Sequence, residues 1–195
     1  MAIIMFDVDG VLADFQLAFY EEARALDSTV DISCANHGAY WHDFETISKE
    51  TVDKTWEKIQ HTPGWWMKLK PLVDSSVFKR INAIHLEHTF YFVTSRVVAG
   101  QMPVQLQTKS WLQGHGIYAP CVITSSRKGE VAKAVNADFS IEDKWENAQC
   151  VHWFTDGATK SYLINRSYNQ VGGVGSRNVV RVNTVEEYLD AIRKS

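Results

Sequence analysis

The sequence predicts an α/β fold with a mainly parallel central sheet flanked by helices, and three observations lead to it. Ala2–Phe6 is an unbroken apolar, β-prone run of the kind buried on both faces of a parallel sheet. From Pro71 onward, strand-like and helical patterns alternate, which requires right-handed crossovers and parallel neighbours. Between Asp27 and Leu72 the pattern is helical and rich in aromatics with no convincing strand, so this stretch reads as an insertion.

Taken in order, the first strand runs straight into Asp7-Val8-Asp9-Gly10, where glycine permits a sharp turn. Phe15, Leu17, Ala18, Phe19, Ala23 and Leu26 recur at mainly helical spacing and predict an amphipathic helix from about Asp14 to Leu26. Shorter helical patterns follow, one of them over Thr51–Ile59, among Tyr40, Trp41, Phe44, Trp56, Trp65 and Trp66. The later part predicts helices near Ser75–Leu86, Val104–Gly114, Gly129–Val135, Asn147–Cys150 and Val185–Arg193. Strands are expected at Thr89–Val93, Cys121–Thr124, Asp138–Ile141, Ser161–Ile164 and Val179–Val182. The Gly172–Gly175 cluster lacks the strand-to-helix setting of a dinucleotide fingerprint and reads as a flexible loop.

A chain of 195 residues, 45% hydrophobic, can bury one sizeable core with a small appendage. Its net charge of −3 argues against a polynucleotide partner, because phosphate neutralisation needs a concentrated basic face. Cys34, Cys121 and Cys150 are odd in number and lack metal-ligand spacing, as expected of buried thiols in a reducing compartment. Residues 1–6 have no basic region before them, and no apolar run is long enough to span a membrane, so a cytoplasmic protein without a membrane partner is expected.

Four groups fall where a parallel sheet collects its functional residues, at the carboxyl ends of strands. Asp7 and Asp9 follow the first strand, and their i, i+2 spacing lets both approach one site. Left alone they would repel until one took a proton; a divalent cation relieves that repulsion. Thr94-Ser95-Arg96 ends a strand in hydroxyls and backbone N–H groups suited to phosphoryl oxygens. Lys128 stands where a helix begins, a setting that favours anions. Glu142-Asp143 follows another strand and offers hard oxygen ligands for magnesium. Each group has an ordinary alternative as a turn, cap or solvated charge; the four together in this order do not.

The segments Phe6–Phe15, Phe92-Val93-Thr94-Ser95, Lys128-Gly129 and Ile141-Glu142-Asp143 resemble the four motifs of the haloacid dehalogenase (HAD) superfamily. More narrowly, Gly10–Phe15, Pro63–Trp66, Leu69–Leu72 and Tyr162–Asn169 resemble the 5′(3′)-deoxyribonucleotidases and related bacterial and phage phosphatases. The resemblance implies a Rossmann-like three-layer sandwich formed by residues 1–14 and 73–195, with a helical cap of the C1 type at 15–72. It implies Asp7 as nucleophile through an aspartyl-phosphate, and Asp9 as general acid and base. Magnesium would be held by Asp7, the Asp9 main-chain carbonyl and Asp143, while Thr94, Ser95 and Lys128 bind the phosphoryl oxygens. Two departures follow. Glu142 stands where the nucleotidases more often carry aspartate, which places it behind the metal ligands, although its longer side chain leaves ligation open. Lys133, further along the same helix, competes with Lys128 for the phosphate role.

The resemblance also implies a small phosphate ester as substrate, a nucleoside monophosphate first of all, a monomer or homodimer, and for phage members action in the host cytoplasm. Phe15 and Trp66 match cap positions that line the base pocket, with Trp41, Phe44, Trp65 and Arg96 as further candidates for contact with substrate. Stacking platforms contribute about 1–3 kcal/mol per base, but a helical cap also needs large aromatics for its own core. A sugar-phosphate phosphatase, with His37, His42 and His61 in a polar cap, and a non-catalytic phosphoryl-binding module are the alternatives.

Overall fold

Apolar strands that alternate with amphipathic helices bury themselves as three layers, and this computed structural model, which describes residues 1–36, 46–170 and 178–193, has that architecture. Its elements, in order, are β1 (Ile3–Asp7), α1 (Phe15–Leu26), α2 (Lys49–His61), α3 (Ser75–His85), β2 (Thr89–Thr94), α4 (Val104–Gly114) and β3 (Cys121–Thr124). They continue with α5 (Lys128–Val135), β4 (Phe139–Glu142), α6 (Trp145–Phe154), β5 (Lys160–Ile164), β6 (Val179–Val182) and α7 (Val185–Arg193). The sheet runs β3-β2-β1-β4-β5-β6, and every adjacent pair is parallel rather than mainly so.

Side-chain alternation along β1 divides the core between the faces. Ile4 and Phe6 face the larger cluster, which includes Val77, Phe78, Ile81 and Ile84 of α3 and Tyr188 and Leu189 of α7. There Phe6 meets Phe90, Phe92 and Tyr188 with ring centroids 5.2–6.0 Å apart. Met5 faces the other way, toward Val93, Ala132 of α5 and Val151 of α6. Among the described residues, no helix is long and apolar enough to cross a membrane.

Several boundaries differ from the sequence reading for identifiable reasons. β4 starts after Asp138, whose carboxylate accepts from the Ile3 N–H at 2.7 Å, and it runs on into Glu142, an acid that the sequence alone marks as a turn but that is completely buried. α6 extends well beyond Asn147–Cys150, carrying Ala148 and Val151 into the core and ending where the Thr155 hydroxyl donates to the Val151 carbonyl at 2.8 Å. Cys121, expected to be buried, is exposed because it opens the edge strand β3; Cys34 and Cys150 are half-buried, and all three are free thiols. The Gly172–Gly175 turn lies outside the described residues.

Between β1 and α3 the described residues form α1, α2 and two short 3-10 turns, Ile32–Asn36 and Trp65–Met67. The chain leaves the sheet region and returns at one place: the Asp14 N–H donates to the Lys70 carbonyl and the Leu72 N–H to the Leu12 carbonyl, each at 2.8 Å. Asp14 also caps α1, accepting from the Leu17 N–H.

The strand order reverses beside β1, which lies between β2 and β4. A crevice therefore opens at the carboxyl ends of these strands. On one side of it, α5 is set by the approach of Gly129 to α6: a methyl group there would lie 2.6 Å from a Phe154 ring carbon and 2.7 Å from the Cys150 carbonyl oxygen. The adjoining Lys128 owes its position to that contact. Gly129→Ala should therefore overpack the α5–α6 interface and destabilise the protein by about 1–3 kcal/mol, visible as a lower thermal midpoint; an unchanged midpoint would contradict this packing.

Candidate active site

Asp7 is the last residue of β1, and its 95% burial follows from its register opposite Val93 in the middle of the sheet. One of its oxygens accepts from the Val8 N–H at 2.7 Å. The other meets the Lys128 ammonium at 2.5 Å. Lys128 opens α5 and also contacts Glu142 Oε2 at 2.8 Å, so one buried cation bridges the ends of β1 and β4. Lys133, by contrast, is exposed on the same helix, so the structure brings Lys128 to the crevice.

Asp143 follows Glu142, and a carboxylate oxygen from each of Asp7, Glu142 and Asp143 lies within 4.8 Å of the other two. Burial raises the Asp143 carboxyl to about 7, with the Asp7 charge adding to it and the Tyr168 hydroxyl working against it. Burial likewise pushes Glu142 well above the carboxylate range, against the pull of Lys128. For Lys128 burial acts to remove the proton, but the Asp7 and Glu142 charges prevail and hold it above its ordinary value. Glu142 Oε2 also accepts from Asn147 at 3.2 Å, whereas its buried Oε1 has no hydrogen-bond partner among the described residues. Crowded hard oxygens, one of them unpartnered, are a donor set suited to a divalent cation.

Asp9 lies at the rim, its side chain 21% exposed, and is held by a fully buried Arg96. The guanidinium forks onto it, with Nε at 2.9 Å from Oδ2 and the terminal nitrogen at 2.8 Å from Oδ1. The Thr94 hydroxyl adds a further bond at 3.1 Å. Arg96 is itself fixed by Thr108 at 3.1 Å and lies over the Trp66 ring at 4.9 Å. Two residues expected to meet substrate thus have other partners: Thr94 directs its hydroxyl to Asp9, and Arg96 commits its guanidinium to Asp9 and Thr108. Ser95 is exposed, lines the cavity and donates to the Ser125 carbonyl at 3.2 Å.

The cavity over these groups has a volume of about 450 Å³. Its apolar wall includes Phe15, Trp56, Trp66 and Leu72, and its polar side includes Lys144, Asn147, Arg166 and Tyr168. Phe15 stacks between Trp56 and Trp66, with centroids 5.7 and 5.6 Å away and rings inclined by 23° and 24°. Trp66 is anchored by its indole N–H on the Val97 carbonyl at 2.9 Å. Trp65 turns away into the core, its indole N–H drawn to Glu22 at 3.1 Å and its ring edge-on to Trp66. Trp41 and Phe44 lie outside the described residues.

Sequence reasoning missed three contributors. Trp56 occupies the same face of α2 as Val52 and Ile59, so helical spacing marks it as core although it borders the cavity. Arg166 and Tyr168 follow β5, and the strand-end rule that singled out Asp7 and Asp143 applies to them equally. Arg166 donates to the Gly10 and Val11 carbonyls at 2.6 and 3.3 Å, clasping the turn after β1. Tyr168 donates to Asp143 at 2.7 Å, and burial and that carboxylate together raise its hydroxyl above the ordinary phenol value.

Solved structures with this architecture include D,D-heptose 1,7-bisphosphate phosphatase from Burkholderia thailandensis, with 9% identity, a TM-score of 0.56 and all of both chains covered. A HAD family hydrolase from Deinococcus radiodurans R1, with bound phosphate and sodium, shares 12% identity over 98% of this chain and 94% of that one, with a TM-score of 0.59. L-2-haloacid dehalogenase from Xanthobacter autotrophicus, with chloropropionic acid covalently bound, shares 8% identity over 99% and 98% of the two chains, again at 0.59. Identities this low carry the fold alone. No curated protein sequence matches. Residues 1–187, however, match the family described as 5′ nucleotidase, deoxy (pyrimidine), cytosolic type C protein (NT5C). With the fold and the strand-end carboxylates in agreement, the chain belongs to that family and is a phosphatase of the haloacid dehalogenase superfamily, acting on a small phosphate ester.

Proposed function

We propose that the protein is a magnesium-dependent 5′-nucleotidase that releases phosphate from nucleoside monophosphates through an aspartyl-phosphate on Asp7. The single observation that carries this reading is the convergence of Asp7, Glu142 and Asp143 around Lys128 beneath an aromatic-walled cavity. Asp7, Asp143 and the Asp9 main-chain carbonyl would hold the cation, with Glu142 behind them fixing Lys128. Magnesium, when bound, offsets the charge of the clustered carboxylates and of the phosphoryl group.

In the first step an Asp7 oxygen attacks phosphorus in line, the bond to the ester oxygen breaks, and Asp9 donates a proton to the leaving alkoxide. In the second, water attacks the phosphorus of the acyl phosphate, Asp9 accepts its proton, and Asp7 is regenerated as inorganic phosphate departs. The Arg96 fork suits the second step, in which Asp9 acts as a carboxylate. Protonating the leaving group needs the neutral acid, which accepts fewer of those hydrogen bonds, so the first step requires the fork to loosen. The Lys128 ammonium and the Ser95 backbone would meet phosphoryl oxygens, where transition-state charge gathers.

Residues 15–72 act in this reading as a cap over the leaving group, inserted between residues 1–14 and 73–195 and joined to the former through the Asp14–Lys70 and Leu12–Leu72 contacts. The Phe15, Trp56 and Trp66 wall supports a nucleobase as the part of the substrate held there, and the family description, deoxy and pyrimidine, supports a deoxyribonucleotide. The same wall disfavours a sugar phosphate, which calls for hydroxyl partners. The half-paired carboxylate cluster disfavours a module that binds without turnover. Free cysteine thiols support a cytoplasmic setting.

Purified protein should release phosphate from deoxyribonucleoside monophosphates with magnesium and not with chelator, and Asp7→Asn should abolish turnover while leaving the fold intact; turnover retained in that variant would remove Asp7 from the nucleophile's role. Trp56→Ala should raise KM for a nucleotide far more than for an aryl phosphate. Equal effects on the two substrates would make the tryptophan a packing residue only.

A further inference from the structure

Asp143 lies in the short connection between β4 and α6, where the ladder of the sheet has ended and the α6 N-terminus carries no side-chain cap. A carboxylate in such a connection is free to rotate unless something holds it. The turn Ser167–Asn169 after β5 holds it at two points. The Tyr168 hydroxyl donates to Asp143 Oδ2 at 2.7 Å, and the Asn169 amide donates to the Asp143 main-chain carbonyl at 2.7 Å. Asn169 is buried and its amide also reaches the Ile164 carbonyl at 2.8 Å, which ties the turn to its own strand. From β6, Arg181 donates to the Asn169 carbonyl at 2.6 Å.

Gly10 makes this contact possible. It has a φ of +76°, and a methyl group on it would lie 2.2 Å from Asp143 Oδ2 and 2.6 Å from the Tyr168 hydroxyl. The hydrogen bond thus sits directly over the turn that follows the nucleophile's strand, with no room for a side chain beneath it. The turn that carries Tyr168 and the turn that carries Gly10 are joined again by Arg166.

We infer that Tyr168 is a positioning residue for Asp143, fixing the carboxylate's rotamer so that a divalent cation meets a ligand already aimed at it, with Asn169 anchoring the turn that carries Tyr168. This rests on the reading of Asp143 as a cation ligand. Ligands held by a neighbouring hydrogen bond lose less freedom on binding, and removing such a partner weakens metal affinity or activity by about 10–100-fold.

The test compares wild type, Tyr168→Phe and Asp143→Asn. Tyr168→Phe keeps the ring and its packing and removes only the hydroxyl, and the circular dichroism of each metal-free variant establishes that it is folded. Magnesium and manganese are titrated calorimetrically into each protein without substrate, and turnover is then measured against metal concentration. Tyr168→Phe should bind both metals about tenfold or more weakly, need correspondingly more metal for half-maximal activity, and approach wild-type kcat and nucleotide KM at saturating metal. Wild-type metal affinity in Tyr168→Phe, alongside lost affinity in Asp143→Asn, would overturn the inference while leaving the cation site in place. A kcat that stays low at saturating metal, with metal affinity unchanged, would overturn it as well. Undiminished metal binding by Asp143→Asn would overturn it together with the reading on which it rests.

Discussion

The structure depends on a concentration of buried negative charge at the carboxyl ends of β1 and β4. Asp7, Glu142 and Asp143 are nearly or wholly removed from solvent, and the Lys128 ammonium is paired with two of them. Buried charges persist only where partners and hydrogen bonds offset their desolvation. The surrounding architecture supplies those partners: α5 brings Lys128, α6 brings Asn147, and the turn after β5 brings Tyr168. Burial, with the Asp7 charge adding to it, raises both Glu142 and Asp143, and a crowded carboxylate cluster of this kind attracts a divalent cation.

Topology explains why this charge collects where it does. In a parallel sheet whose strand order reverses at β1, loops on the two sides of the reversal diverge and leave a crevice. The groups proposed to act in catalysis come from separate strand ends, so the rigid sheet fixes their spacing. Phe15, Trp56 and Trp66 supply the aromatic wall, and the links are physical: Phe15 begins α1 directly after the Asp7–Asp14 turn, and Arg96 extends from the end of β2 to lie over Trp66 while gripping Asp9. Arg96 thereby couples the aromatic wall to Asp9, the residue proposed to protonate the leaving group.

Much of this was legible in the sequence. The run Ala2–Phe6 into Asp7, the apolar strands expected at Thr89–Val93 and Asp138–Ile141 and found within one residue at each end, and the polar residues that follow them come from periodicity and the strand-end rule. The helix over Val104–Gly114 and the strand Val179–Val182 lie where their patterns put them. What escaped the sequence is partner choice. Nothing in Thr94-Ser95-Arg96 tells that threonine and arginine turn to Asp9, because that depends on a Trp66 and a Thr108 that are distant in sequence. Trp65 and Trp66 are adjacent and chemically alike, yet one hydrogen bond to Glu22 and another to the Val97 carbonyl send them to different surroundings. Tyr168 gave no periodic signal, since a 3-10 turn of three residues has no face to read.

The central claim is that Asp7 carries the phosphoryl group between two displacements. The stereochemical course at phosphorus tests it most directly, using a nucleoside phosphorothioate made chiral by oxygen isotopes and hydrolysed in isotopically labelled water. Two in-line displacements, first by Asp7 and then by water, each invert the centre, so the account predicts overall retention of configuration. Inversion would mean that water attacks the ester directly, and would contradict the covalent role assigned to Asp7.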